Sequence, residues 1–204
     1  MKPRIEQKLL IERSDYANFL AWLRSEGAEM LHPDRVITST YFDSSDFAMW
    51  RDTDEGLVPR KKIRIRCYGG HTATCGAEHH LEVKKTTEYQ RLKEIRPIPE
   101  WRRLVSEGFF DPDYGACFPM VRVEYWRSYF RVHGVRVTID RNLHYQSMLN
   151  PLIHQAAIHD HCLAFEVKAP WGEDADRLWN CFPFPRTHFS KYERAVHLVH
   201  LRHS

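Results

Sequence analysis

Charged residues recur at alternate positions of several short stretches in this 204-residue chain, and that spacing is its first chemical signal. Arg4, Glu6 and Lys8 alternate, as do Arg64 and Arg66, Glu82 and Lys84, Arg91 and Lys93, and Glu166 and Lys168. Tyr125 falls in step with Arg127, and Arg136 with Thr138 and Asp140. Period two puts such residues on one face of a β-strand. Residues two apart on a strand are separated by about 6.7 Å. Like charges at that distance repel by roughly 2–3 kcal/mol at an effective dielectric near 20, so repeated pairs call for counter-charge. Guanidinium forks match phosphate oxygens bidentately, and ammonium groups add point charge. A carboxylate together with phosphate oxygens is a usual way to hold Mg²⁺ or Mn²⁺. The pattern points to a metal-dependent triphosphate or polyphosphate site.

The elements that must carry these residues can be read from the sequence. Strands are expected over 4–11, 36–44, 61–68, 79–86, 91–97, 120–132, 135–146 and 163–170, from β-branched and aromatic content and alternation. His133-Gly134 is a hairpin-like pair. Helices are expected over 14–26, capped by Ser14 or Asp15 and stopped at Gly27, and over 99–109, 175–182 and 190–202, with 46–56 a short helix or turn. Consecutive strands with short connections favour antiparallel pairing. The expected class is α+β: an eight-stranded antiparallel β-barrel with helices packed outside, in one domain spanning 1–204. On any single strand the charges could simply face solvent. Repetition argues otherwise, because the helices need the aliphatic face, for example Ile63 with Ile65 and Leu81 with Val83. The charged face then turns inward as a basic tunnel.

Composition sets bounds on this reading. With 43% hydrophobic and 28% charged residues the chain fits a soluble globular domain. The net charge of +3, from 30 Lys+Arg against 27 Asp+Glu, is too balanced to announce nucleic acid. The aromatics are not interleaved with the arginines as a base-stacking platform requires, so no nucleic-acid partner is expected. Five cysteines without a CxxC pair suggest reduced thiols and a cytoplasmic location. The charged N-terminus has no signal-peptide core, and no apolar run is long enough to span a bilayer. A membrane partner is possible in principle, but none is specified.

The stretches RIEQK, STYFDS, RKKIRIRCY, LEVKK, VEYWRSYF, VRVTIDRNL, FEVKAP and FSKYERA occur in this order over roughly 4–196. In that order the chain resembles the VTC (vacuolar transporter chaperone) catalytic domain, the polyphosphate polymerase branch of the CYTH-like triphosphate tunnel metalloenzymes. The resemblance implies an eight-stranded tunnel and ATP-dependent synthesis of inorganic polyphosphate with Mn²⁺ or Mg²⁺. It implies a basic lining of Lys8, Arg64, Arg66, Lys84, Lys93, Arg127, Arg136 and Lys191, with the four arginines acting on the transferred phosphoryl group. Tyr125 would contact phosphate beside Arg127. Glu166 would ligate metal, with Glu6 and Glu82 as further metal or water contacts. The hydrolase and cyclase branches carry ExExK on the first strand, whereas Arg4 stands here at the first Glu position. An inorganic or nucleoside triphosphatase of the same fold, and a non-catalytic polyphosphate-binding module, are the competing readings.

Other chemistry-bearing residues have plainer readings. The thirteen histidines, including His79-His80, His159 with His161, and His197, His200 and His203, read as surface or packing residues. Cys162 reads as a small buried hydrophobe, Asp43 as a turn cap, Lys61 and Lys62 as solvated charges, and the six tryptophans as core or helix-to-sheet packing.

Overall fold

β-branched and aromatic residues in alternation build most of this chain, and turn residues punctuate it. The structure, a computed structural model, describes residues 4–69, 78–149, 156–170 and 173–201. The strands are β1 (Arg4–Ile11), β2 (Glu29–Ser44), β3 (Arg60–Tyr68), β4 (His79–Thr86), β5 (Arg91–Pro97), β6 (Phe109–Asp111), β7 (Gly115–Val132), β8 (Val135–Ser147), β9 (Ile158–Asp160) and β10 (Leu163–Pro170). The helices are α1 (Tyr16–Ser25), α2 (Ala48–Asp54), α3 (Trp101–Glu107), α4 (Glu173–Cys181) and α5 (Lys191–Val196), the last continuing as a π-turn over His197–Leu201.

Hydrogen-bonded neighbours follow the order β1-β10-β8-β7-β2-β3-β4-β5, with β6 on β7 and β9 on β8 as short side branches. The pairs β1/β10, β10/β8, β2/β3, β3/β4 and β4/β5 are antiparallel. The main path thus has the eight antiparallel strands expected from the sequence. β4, β5 and β10 fall on their expected residues, whereas β2 and β7 start seven and five residues earlier than their expected segments, at Glu29 and Gly115. The β7–β8 loop is the two-residue turn His133-Gly134, both with left-handed φ (48° and 77°), the conformation that matches the twist of a tight hairpin.

One expected cap is absent. The chain enters α1 through a 3₁₀ turn (Arg13–Asp15), and Asp15 makes no side-chain capping bond. Its exit is as expected. Gly27, at φ 66°, donates to Arg24 O, and Ala28 donates to Leu23 O, the paired bonds of a Schellman motif.

The chain divides into two units, each with its own core. Unit 1 comprises Met1–Arg35, Tyr125–Leu143 and Asp160–Ser190; unit 2 comprises Val36–Glu124, His144–His159 and Lys191–Ser204. In unit 1, Leu9 and Ile11 of β1, Val137 and Ile139 of β8, and Phe165 and Val167 of β10 pack against Phe19, Trp22 and Leu23 of α1 and Leu178 and Trp179 of α4. In unit 2, Phe42, Ile63, Ile65 and Leu81 pack with Met49 of α2 and Trp101 and Leu104 of α3. Within each unit, then, helices cover the aliphatic face of the strands. The opposite face carries the charge.

Candidate functional site

Register decides which charges meet, because cross-strand partners share a face. In unit 2 the rows are Ser39–Arg66–His80, Tyr41–Arg64–Glu82 and Lys62–Lys84–Lys93. Glu82, only 3% exposed, is the shared acceptor. Arg64 donates to its Oε2 from Nε at 2.9 Å and from Nη2 at 2.5 Å. Lys93 Nζ lies 3.3 Å and Arg66 Nη1 3.6 Å from its Oε1. Burial alone would raise the Glu82 carboxyl, but Arg64, Arg66 and Lys93 outweigh it and hold its pKa at about 2. Burial and the two arginines push Lys93 the other way, below its ordinary value, despite Glu82. Three cations converge on this one acid.

Tyr41 joins this face. Its hydroxyl accepts from Arg64 Nη1 at 2.8 Å. Burial raises the phenol's pKa, and Arg64, Arg66 and Lys191 together outweigh that and bring it below the ordinary value. Tyr41 stacks on Tyr192 of α5 with ring centroids 5.0 Å apart. Tyr192 in turn donates a short hydrogen bond to Asp43 Oδ2. Asp43 also accepts from the backbone N–H groups of Ser44, Met49 and Trp50, so it holds the turn that leads into α2 and ties α5 to the same end of β2. Lys191, the first residue of α5, is buried at this end, and Lys62 Nζ reaches Glu193 Oε1 at 2.8 Å.

In unit 1 the rows are Glu6–Lys168–Arg136, Lys8–Glu166–Thr138 and Leu10–Ala164–Asp140. Glu166 is 4% exposed. It lies 3.2 Å from Lys168 Nζ and 3.5 Å from both Lys8 Nζ and Arg127 Nη2. Burial would raise its pKa, but Lys8, Arg127 and Lys168 prevail and keep it well below the usual carboxylate range. Arg127 forms a fork on fully buried Asp140, Nε to Oδ1 at 2.5 Å and Nη2 to Oδ2 at 2.7 Å. Its guanidinium also stands 5.4 Å over the ring of Tyr125, which is fully buried. Arg136 is exposed and lies 5.6 Å over the Tyr129 ring.

The residues singled out from sequence therefore form two groups. Arg64, Arg66, Glu82, Lys84, Lys93 and Lys191 belong to unit 2; Glu6, Lys8, Tyr125, Arg127, Arg136 and Glu166 belong to unit 1. Of Arg4 only the strand position is described; Cys75, Trp171 and His203 lie outside the described residues. A divalent ion suits the donors of unit 1. Lys8 Nζ sits 2.7 Å from Glu6 Oε1 and 3.5 Å from Glu166 Oε1, so two hard carboxylate oxygens already converge on one cationic position. In unit 2 both Glu82 oxygens are engaged by arginine or lysine.

Three readings need correction. Lys62 is not an ordinary solvated charge, since it stands in register with Lys84 and Lys93; its parity with Arg64 was the available signal. Lys61 is half-buried and paired with Asp111 and Asp113, at 3.0 and 2.6 Å. Trp126 points away from Tyr125 and Arg127 as expected, but it is 43% exposed rather than packed. The histidines are mostly as expected: His79 stacks on Trp101, His159 on His144, and His200 contacts Met120 O. Cys162 is buried, and burial with the nearby Glu12 carboxylate pushes its thiol up to about 12.

No helix among the described residues is long and apolar enough to cross a membrane. No curated protein sequence matches the chain. Solved structures share its fold, among them two candidate cyclases. One is a candidate adenylyl cyclase from Hippeastrum for which a dominant triphosphatase activity is described (TM-score 0.57, 15% identity, 99% of this chain and 98% of that chain). The other is a candidate adenylate cyclase from Vibrio parahaemolyticus (TM-score 0.53, 17% identity, 94% and 97% covered). The family model described as the VTC domain matches residues 3–100 and 110–200, and the chain belongs to that family.

Proposed function

We propose that this protein is a polyphosphate polymerase that transfers the γ-phosphoryl group of ATP to the end of an inorganic polyphosphate chain. The observation that carries the proposal is the cluster of cations on the charged face of unit 2, where one buried acid serves Arg64, Arg66 and Lys93. Such a surface is completed by a polyanion. Phosphoryl transfer asks mainly for alignment and charge stabilisation. The bond between the γ-phosphorus and the bridging oxygen to the β-phosphate breaks, a bond from a terminal oxygen of the chain forms, and ADP leaves. The acceptor is already an anion, so no strong general base is required.

On the unit 2 face, Arg64 and Arg66 act on phosphate oxygens with Lys84, Lys93 and Lys191 as supporting charge, and Glu82 holds the arginine forks in place. On the unit 1 face, Arg127 and Arg136 bind phosphate with Lys8, and Tyr125 supports Arg127 from below. Glu166 with Glu6 would hold Mn²⁺ or Mg²⁺, which supplies charge neutralisation to nucleotide phosphates. A cytoplasmic setting, where ATP is available, fits this activity.

A second reading, hydrolysis of triphosphate, is favoured by one observation: the Hippeastrum protein of the same fold is described as a triphosphatase. The experiment that separates the two is incubation with ATP and Mn²⁺, with products sized on a gel. Long, acid-insoluble polyphosphate is expected. Release of orthophosphate alone would establish the triphosphatase, and loss of neither γ-phosphate nor ATP would leave only a polyphosphate-binding module.

A further inference from the structure

Away from both charged faces, unit 1 brings together a carboxylate, an imidazole and a thiol that are distant in sequence. His133 Nε2 lies 2.7 Å from Glu26 Oε2 and 3.9 Å from Cys181 Sγ. One ligand atom from each of the three residues lies within 4.8 Å of the others. A single nitrogen thus stands between the oxygen and the sulfur.

We propose that Glu26, His133 and Cys181 form a binding site for a borderline divalent cation of the zinc class. Their donor set is the first reason. Thiolate with imidazole selects Zn²⁺ and its neighbours over Mg²⁺ or Ca²⁺, which prefer oxygen alone. Geometry is the second. Metal–ligand bonds of about 2.0–2.3 Å in a tetrahedron put nitrogen and oxygen about 3.3 Å apart and nitrogen and sulfur about 3.6 Å apart. The observed 2.7 Å and 3.9 Å must change by only some tenths of an ångström, in opposite directions, for an ion to enter where a proton now bridges His133 and Glu26.

Backbone structure fixes each donor. Glu26 is the C-cap of α1, held by the Schellman bonds around Gly27. His133 occupies a left-handed turn position that histidine fills more readily than most side chains. Cys181 ends α4, and its carbonyl accepts from Trp22 Nε1 at 2.9 Å. The Glu26 and His133 side chains are 22% and 15% exposed and Cys181 is partly exposed, so an ion can reach them from solvent. Three protein donors leave a fourth position for water or another ligand. Binding displaces the thiol proton, now directed at Leu178 O, and the proton between His133 and Glu26; both pass to solvent.

The test uses the full chain with Co²⁺ as a spectroscopic probe and Zn²⁺ in equilibrium dialysis. One Zn²⁺ per chain is expected, with a near-ultraviolet thiolate-to-Co²⁺ charge-transfer band. The band should vanish in Cys181→Ser. Zn²⁺ bound at this site should be lost in His133→Asn, a change that retains the left-handed turn. A thiolate band that persists in Cys181→Ser, unchanged stoichiometry in His133→Asn, or the absence of bound Zn²⁺ in the parent protein would each overturn the assignment.

Discussion

The charged faces of the two units are built on the same strand period and reach opposite electrostatic outcomes. In unit 2, Glu82 is shared by Arg64, Arg66 and Lys93, with Lys84 and the Glu193-paired Lys62 in adjoining register. In unit 1, Lys8, Lys168, Arg127 and Arg136 meet Glu6, Glu166 and Asp140, nearly one acid per cation. A cation-rich face is completed by an anionic ligand. A balanced face with convergent carboxylates can exchange an ammonium for a divalent ion. In the proposed function, unit 2 therefore contributes chiefly phosphate binding, and unit 1 contributes metal as well.

The strongest way to break the contrast is at its most buried pair. Asp140→Ala strands Arg127 without its fork partner, and the expected loss is about 3–5 kcal/mol of stability by urea denaturation. A variant as stable as the parent would mean that Arg127 is balanced by Glu166 alone. On the cation-rich face, Arg64→Ala should leave the fold standing and lower ATP turnover by roughly 10²–10³-fold, the cost of removing one preorganised donor; undiminished turnover would remove the phosphate role from this strand.

The two acids sharpen the comparison. Glu166→Gln should abolish the Mn²⁺ dependence of turnover, while polyphosphate affinity remains. Glu82→Gln should keep the metal response and tighten polyphosphate binding, because it uncovers positive charge. Identical metal titrations for both variants would erase the distinction between the faces.

pH reads the same difference. Glu82 is depressed from its ordinary 4.5 to about 2, so its contribution is full above about pH 4.5 and disappears as pH falls through 2. That shift corresponds to on the order of 3 kcal/mol, reduced by the like-charge crowding that lowers Lys93. Acid unfolding of Glu82→Gln should accordingly lose part of its pH dependence between pH 4.5 and 2. The smallest effect is expected at Trp126→Ala, within about 0.5 kcal/mol by thermal melting, since the ring is exposed on the face away from Arg127.

Much of this was legible locally. β4, β5 and β10 are short alternating segments bounded by turn residues, and they begin and end where the residues indicate. Gly27 and His133-Gly134 announced their turns through backbone conformation. The early starts of β2 and β7 were not legible, since these strands begin in residues with weak β-preference, such as Pro33 and Asp34 of β2 and Gly115 of β7. Lys62 could have been placed by parity. Tyr41 could not be placed as an Arg64 partner, because that contact depends on the register of β2 against β3.

The sequence by itself determined the two-sidedness of each strand: alternation forces Ile63 and Ile65 to one face and Arg64 and Arg66 to the other. Tertiary structure alone decided which charges balance which. Glu82 among three cations, Asp140 in the fork of Arg127, and the Glu26–His133–Cys181 cluster all join residues 11 to 155 positions apart. Hydrophobic period is carried along the chain, whereas charge pairing is set across it, by strand register and by the helices that claim the aliphatic face.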